Sequence, residues 1–279
     1  MKFSLAKANH AIVCNPFLVL THHEGQVDAL HALPKSMFSA VELLPDHDTP
    51  IVLFTRHSIR ELVNGQGLAG YDLQLTDEGR ELAEAWGEYL SQQTQRQIVN
   101  CISSPIQRCI DTATLMIAGA DRHFSDNTHQ IEIFEESLLV EPGSFVVDID
   151  LAVPHFRKKG AVSFIDSFVK NTLPGMKHPI RGVLDVLEVL FHSHLIQCES
   201  NPTQKHCALS LAVSHDTILA AFIAVISGHF QVQKKDWPEM MEGVFVWFDN
   251  TSSFEASQLN WVWRGERHQV AIRDLKANI

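Results

Sequence analysis

IVLFTRHSIR, residues Ile51 to Arg60, runs four apolar residues and a threonine into Arg56 and His57, with a second arginine at Arg60. An apolar run of that length, closed by polar residues, predicts an interior strand of a parallel sheet. Ligand sites in such sheets lie just beyond the carboxyl ends of strands, so the placement alone makes His57 a site candidate. Neighbouring guanidinium charge disfavours imidazolium, which leaves a histidine here neutral and nucleophilic. The same arginines offer forked donors that fit a phosphoryl group better than an acyl group. Taken alone, the tripeptide Arg56, His57, Ser58 is equally compatible with a strand end carrying solvated arginines.

Two other stretches repeat the arrangement. IVNCISSPIQRCIDTAT, Ile98 to Thr114, reads as strand, then Ser103, Ser104 and Pro105, then a helix with Arg108 one turn in. Serine caps free amides, proline is tolerated in a first turn, and the helix N-terminus favours anions. ALSLAVSHDTILAAFIAVISG, Ala208 to Gly228, places His215 and Asp216 between an apolar strand and a helix. Each stretch has an ordinary structural explanation. Three strand ends that all present phosphate-compatible groups are harder to reach by accident.

The segments TRHSIRE, LTDEGRELAEAWGEYL, SSPIQRCIDTA, LVEPGSF and AVSHDT, in that order, resemble the histidine phosphatase superfamily, also called the phosphoglycerate-mutase-like fold, over about Ile51 to Asp249. The resemblance implies an α/β fold, a three-layer α/β/α sandwich with a mostly parallel central sheet. It implies a domain over 51–279 with a cap insertion at about 142–205, leaving residues 1–50 as an N-terminal extension. It also implies that His57 is phosphorylated and that Arg56, Arg60, Arg108 and His215 hold the phosphoryl oxygens. Most of the family has glycine where this chain has Ser58, whose hydroxyl is therefore a candidate phosphate donor. The tryptophan and asparagine common after the motif in sugar-phosphate mutases are absent, since Ile59, Arg60, Glu61 and Leu62 follow, which favours hydrolysis.

Catalysis also needs an acid for the leaving oxygen, and two branches of the family supply it differently. Asp216 matches the His-Asp pair of the acid phosphatases. Glu141, in VEPGSF, resembles the donor segment of phosphatases related to suppressors of T-cell receptor signalling, which the length and the segment around Arg108 also favour. Either carboxyl would need a raised pKa. The expected chemistry is a two-step, metal-independent phosphomonoester hydrolysis with no cofactor, acting on a phosphorylated small molecule or a phosphoprotein. The alternatives are a catalytically silent phosphate-binding module of the same fold and a phosphosugar mutase.

The formal charge of -11 and the lack of a long basic run argue against a nucleic-acid partner. Sixteen histidines raise the possibility of a metal site, but His22 with His23 and His192 with His194 lack the i, i+4 spacing and glutamate of a zinc hydrolase. Ser214, His215 and Asp216 do not make a serine hydrolase, because adjacent strand residues face opposite ways and there is no nucleophile elbow. Five cysteines, at 14, 101, 109, 198 and 207, leave one unpaired in any full set of disulfides, and Lys7, Asn9, His10 and Asn15 interrupt any N-terminal apolar stretch. Both features point to a cytoplasmic protein without a membrane span.

The rest of the chain reads as supporting structure. Thr76 is the predicted cap of a helix to about Gln93 whose Leu82, Ala85, Trp86 and Tyr89 form an apolar face. A long helix is predicted over Ile180 to Gln197. Val244 to Asp249 and Leu259 to Arg264 read as a terminal hairpin weighted by Trp247, Trp261 and Trp263. Arg157, Lys158 and Lys159 are either a solvated turn or lid cations for a substrate anion.

Overall fold

The computed structural model describes residues 29–46, 48–62, 70–124, 131–140, 143–200 and 208–279. Seven strands form one sheet: β1 Ile51–Arg56, β2 Gln97–Ser103, β3 Ile133–Glu135, β4 Ala208–Ser214, β5 Gly243–Asp249, β6 Gln258–Trp263 and β7 Glu266–Ala271. Their spatial order is β3-β2-β4-β1-β5-β6-β7. The pairs β3/β2, β2/β4 and β4/β1 are parallel, and β5, β6 and β7 continue the sheet antiparallel. The helices are α1 Lys35–Val41, α2 Asp77–Thr94, α3 Gln107–Asp121, α4 Ile149–Lys159, α5 Ala161–Val169, α6 Pro179–Ser200, α7 Asp216–Ile226 and α8 Ile272–Lys276.

The alternation of side chains along β1 makes the three layers. Ile51 and Leu53 face a core built with Leu82 and Trp86 of α2 and Cys109, Ala113 and Met116 of α3. Val52 and Phe54 face the opposite core, with Phe164 and Phe168 of α5, Leu187 of α6 and Phe222 of α7. Both faces of β1 are therefore buried, which is why its sequence is a continuous apolar run with no alternation. The sandwich and its central sheet are the architecture read from the sequence.

α2 begins where the sequence places it, with Thr76 Oγ1 accepting from the Gly79 amide at 3.0 Å. Gly79 is required there, because a Cβ would lie 2.1 Å from the Ile59 carbonyl oxygen. The long helix and the β5/β6 hairpin also appear as read. Two strands had no reading, β3, of three largely exposed residues, and the edge strand β7, and neither did the helices α1, α4, α5 and α8. Within the segment read as an extension, Leu30, Leu33, Met37 and Ala40 are buried in the α2/α3 core. Among the described residues no helix is long and apolar enough to cross a membrane.

Candidate active site

The three stretches singled out in the sequence end at the same place. β1 and β4 are adjacent and in register, with Arg56 opposite Ser214, so the residues that follow them, His57 and His215, emerge side by side. Their rings meet edge to face with centroids 5.5 Å apart. β2 lies on the far side of β4, and the turn after it delivers Arg108 from the first turn of α3. The Arg108 guanidinium spans the two rings: Nε donates to His57 Nε2 at 3.1 Å and Nη2 approaches His215 Nδ1 at 3.4 Å. Its Nη1 donates to the Gly70 carbonyl at 3.1 Å. Arg108, His57 and His215 are all essentially inaccessible to solvent.

These contacts fix where the protons are. His57 Nδ1 lies 2.8 Å from the Ser58 carbonyl oxygen, which can only accept, so Nδ1 carries the hydrogen. A guanidinium can only donate, so Nε2 presents its lone pair. The same logic puts the His215 hydrogen on Nε2, facing Ser104 Oγ at 3.0 Å. Burial lowers the His57 pKa well below the ordinary histidine value, aided by the charges of His215, Arg56 and Arg108 and opposed by the Ser58 hydrogen bond. His215 is pushed down to about 3, chiefly by burial and then by Arg108. Both rings are neutral across the physiological range.

Arg56, at the end of β1, is 7% exposed and pairs with Asp216 at 2.6 Å through Nη2, while Nη1 donates to the Pro238 carbonyl at 2.7 Å. Its Nε is buried and makes no hydrogen bond among the described residues. Both oxygens of Asp216 accept: Oδ1 from the Thr217 amide at 2.9 Å, Oδ2 from Arg56 and from Trp237 Nε1 at 3.2 Å. Arg60 stands further out, half-buried, with Nη1 donating to the Glu61 carbonyl, and its charge is felt at His215.

One expectation needs correction. The Ser58 hydroxyl donates to the Gly79 carbonyl at 2.6 Å, and its amide donates to Thr112 Oγ1 at 3.0 Å. A hydroxyl has one proton, so Ser58 braces the loop against α2 and is not placed as a phosphate donor. Its backbone is not in the left-handed region, which explains how serine substitutes for glycine without strain. Glu141 lies outside the described residues. The chain approaching it is anchored, since Ser214 Oγ donates to the Leu139 carbonyl at 2.8 Å.

Sequence reasoning missed several supporting residues. Thr112, one turn beyond Arg108, couples that residue's carbonyl to the Ser58 amide. Ser104 was read as a helix cap, and its hydroxyl accepts from the Ile106 amide, but it also meets His215. Trp237 and Pro238, on a loop between α7 and β5, had no signal at all. Among the described residues no group of three or more histidine, cysteine, aspartate or glutamate side chains is placed to hold a metal ion.

Residues 52–134 match the histidine phosphatase superfamily (branch 1). Among solved structures, a mycobacterial glucosyl-3-phosphoglycerate phosphatase aligns at 18% identity over 77% of this chain and 99% of its own, with a TM-score of 0.51. Two mycobacterial hydrolases align at 17% and 18% identity, over 77% and 81% of this chain and 98% and 95% of theirs, with TM-scores of 0.52 and 0.51. The fold is that of the histidine phosphatases. No curated protein matches the sequence. The matched stretch carries His57 and Arg108 but stops short of His215 and Asp216, which β4 brings beside them from further along the chain.

Proposed function

We propose that this protein is a phosphomonoester hydrolase that works through a phosphohistidine on His57 Nε2 and needs no metal ion. The observation that carries this reading is the fixed tautomer of His57: a neutral ring with its lone pair aimed at a guanidinium, where a tetrahedral oxyanion would be held. Arg56 supports it with a buried Nε donor that makes no hydrogen bond among the described residues, since such a group in a native site calls for a functional explanation. Arg56, Arg108 and Arg60 supply the positive charge that metal ions contribute in other phosphoryl transfers.

In the first step His57 Nε2 attacks phosphorus in line, the bond to the alcohol oxygen breaks, and an acid protonates that oxygen. In the second, water attacks the phosphohistidine, the same carboxylate takes its proton, and inorganic phosphate and neutral His57 are released. We assign the acid to Glu141. Asp216 already accepts from Arg56, Trp237 and the Thr217 amide, which suits a carboxylate that holds Arg56. The chain entering Glu141 is tied at Leu139 to the residue preceding His215. Substrates of the expected class are phosphorylated small molecules or phosphoproteins.

The test is steady-state hydrolysis of p-nitrophenyl phosphate and of an alkyl phosphate in chelator. His57→Ala should lose activity by roughly 1000-fold or more. Glu141→Gln should slow the alkyl ester much more than the aryl ester, whose leaving group needs little protonation, while Asp216→Asn should slow both alike. Unchanged hydrolysis in His57→Ala would overturn the mechanism. The leaving-group sensitivity appearing in Asp216→Asn instead would reassign the acid.

A further inference from the structure

The loop between α7 and β5 contacts both the strand end that carries His57 and the Asp216 carboxylate beside it. The Pro238 carbonyl accepts from Arg56 Nη1 at 2.7 Å, and Trp237 Nε1 donates to Asp216 at 3.2 Å. The Met241 amide donates to the His57 carbonyl at 3.3 Å, and the Glu242 carbonyl accepts from the Arg56 amide at 3.0 Å. The Arg56 guanidinium is therefore held on one side by Asp216 and on the other by the path of residues 237–242. That path needs a constraint of its own, because Met241 is buried with φ 62°, a left-handed conformation that side chains rarely adopt unless their surroundings enforce it.

The constraint comes from a distant turn. Arg264 sits between β6 and β7, and its fork donates to both oxygens of Glu242, through Nε at 2.8 Å and Nη2 at 2.9 Å. The same guanidinium donates to the carbonyls of Lys235, at 2.6 Å, and Trp237, at 3.0 Å. Glu242, 2% exposed, also accepts from Ser36 Oγ and the Glu239 amide, each at 3.0 Å. Burial would raise the Glu242 carboxyl, but the bonds from Arg264, Glu239 and Ser36 hold it below its ordinary value, so the pair is ionic. Arg264 has φ 46° and Gly265 φ 79°, the signs of a two-residue hairpin turn in which asparagine, aspartate or glycine would be the easy choice for the first position. An arginine accepts that conformation here and delivers its fork to the loop.

We propose that Arg264 and Glu242 form a positioning clasp that sets the Arg56 guanidinium for the phosphoryl group. Neither residue is catalytic; both act through Arg56, and the proposal rests on the phosphatase reading. The clasp ties three sequence-distant elements, α1 through Ser36, the β6/β7 turn and the loop before β5, to one phosphate ligand. Lysine does not reproduce Arg264, because its ammonium lacks the planar fork that pairs with both Glu242 oxygens while donating to the Lys235 and Trp237 carbonyls.

A double-mutant cycle separates this role from simple stabilisation. Wild type, Arg264→Ala, Arg56→Ala and the double variant are compared for kcat/KM on p-nitrophenyl phosphate and for inorganic phosphate affinity by calorimetry, with circular dichroism to confirm folding. Arg264→Ala should lose about 10- to 100-fold in both quantities, and the double variant should fall within about 3-fold of Arg56→Ala. Arg264→Lys should recover stability more than affinity, and it replaces Arg264→Ala in the cycle if the alanine variant does not fold. Losses that multiply across the cycle, or an Arg264 variant with wild-type kcat/KM and phosphate affinity, would overturn the clasp while leaving the phosphatase reading intact. A wild type that neither hydrolyses the ester nor binds phosphate would remove both.

Discussion

The cluster around His57 and the first part of the interval that follows it, expected from the sequence to hold a cap insertion at about 142–205, are built on different principles. In the cradle, His57, Arg108, His215 and Ser104 are buried, and each is held by partners from at least two strand ends or helix starts. In the interval from Leu139 to Met176, Val147, Ile149 and Leu151 stand 71%, 64% and 51% exposed around the start of α4. Asp148 caps that helix from its own side chain, and Val146 bridges only to Met176 within the same interval. The cradle is cross-linked to the sheet; the interval is anchored to it through Phe164 and Phe168 of α5, but the exposed residues at the start of α4 are held locally.

That contrast makes the cradle intolerant of small changes. Arg108→Lys should reduce kcat/KM by about 100-fold or more, because lysine cannot reach His57, His215 and Gly70 at once. Steady-state kinetics on p-nitrophenyl phosphate measures it. A loss under about 5-fold would mean that positive charge, and not the fork, is what the cradle uses.

Acid sensitivity should also lie on the sheet side. His194 of α6 is 2% exposed and hydrogen bonded to Pro50 at the entrance to β1, and burial lowers its pKa to about 4. Below the ordinary histidine value the unfolded chain binds a proton that the folded chain does not. Stability is therefore complete above about pH 6.5 and is lost as the pH falls toward 4, about 2 kcal/mol of it by pH 5 from this residue. His57 and His215, both lowered, act in the same direction. Urea unfolding at pH 7.5 and pH 5 should give a smaller difference in His194→Gln than in wild type. Equal differences would place the acid sensitivity elsewhere.

The smallest effect should come from the exposed start of α4. Val147→Ser, Ile149→Ser and Leu151→Ser, together, should change the hydrolysis of a generic aryl phosphate by no more than about 3-fold, since exposed side chains away from special features matter little. A loss as large as that of Arg108→Lys would break the contrast by making this surface part of the chemistry.

How much of this was legible in the sequence follows the same division. Strand ends are easy to read: β1, β2 and β4 are buried runs that stop abruptly on polar groups, and the site lies at the stops. Thr76 announces α2 by local capping chemistry. β7 was missed because ERHQVA is a partly exposed edge strand with no apolar period, and β3 because it is too short to carry one. The Arg264–Glu242 pair, the Thr112–Ser58 bond and the Trp237–Asp216 bond join residues 22, 54 and 21 positions apart, so no local pattern encodes them. Ser58 misled for a related reason. A hydroxyl next to a nucleophile reads as a ligand, and only the closeness of Gly79 shows that it serves the backbone.

The most direct test of the central claim is to quench the enzyme during turnover of a ³²P-labelled phosphomonoester and map the protein-bound label. The expected result is an acid-labile, base-stable phosphate on the peptide containing His57, present in wild type, accumulating in a variant slowed in the water step, and missing in His57→Ala. Rapid hydrolysis with no label on that peptide, or a label that survives in His57→Ala, would contradict the phosphohistidine mechanism.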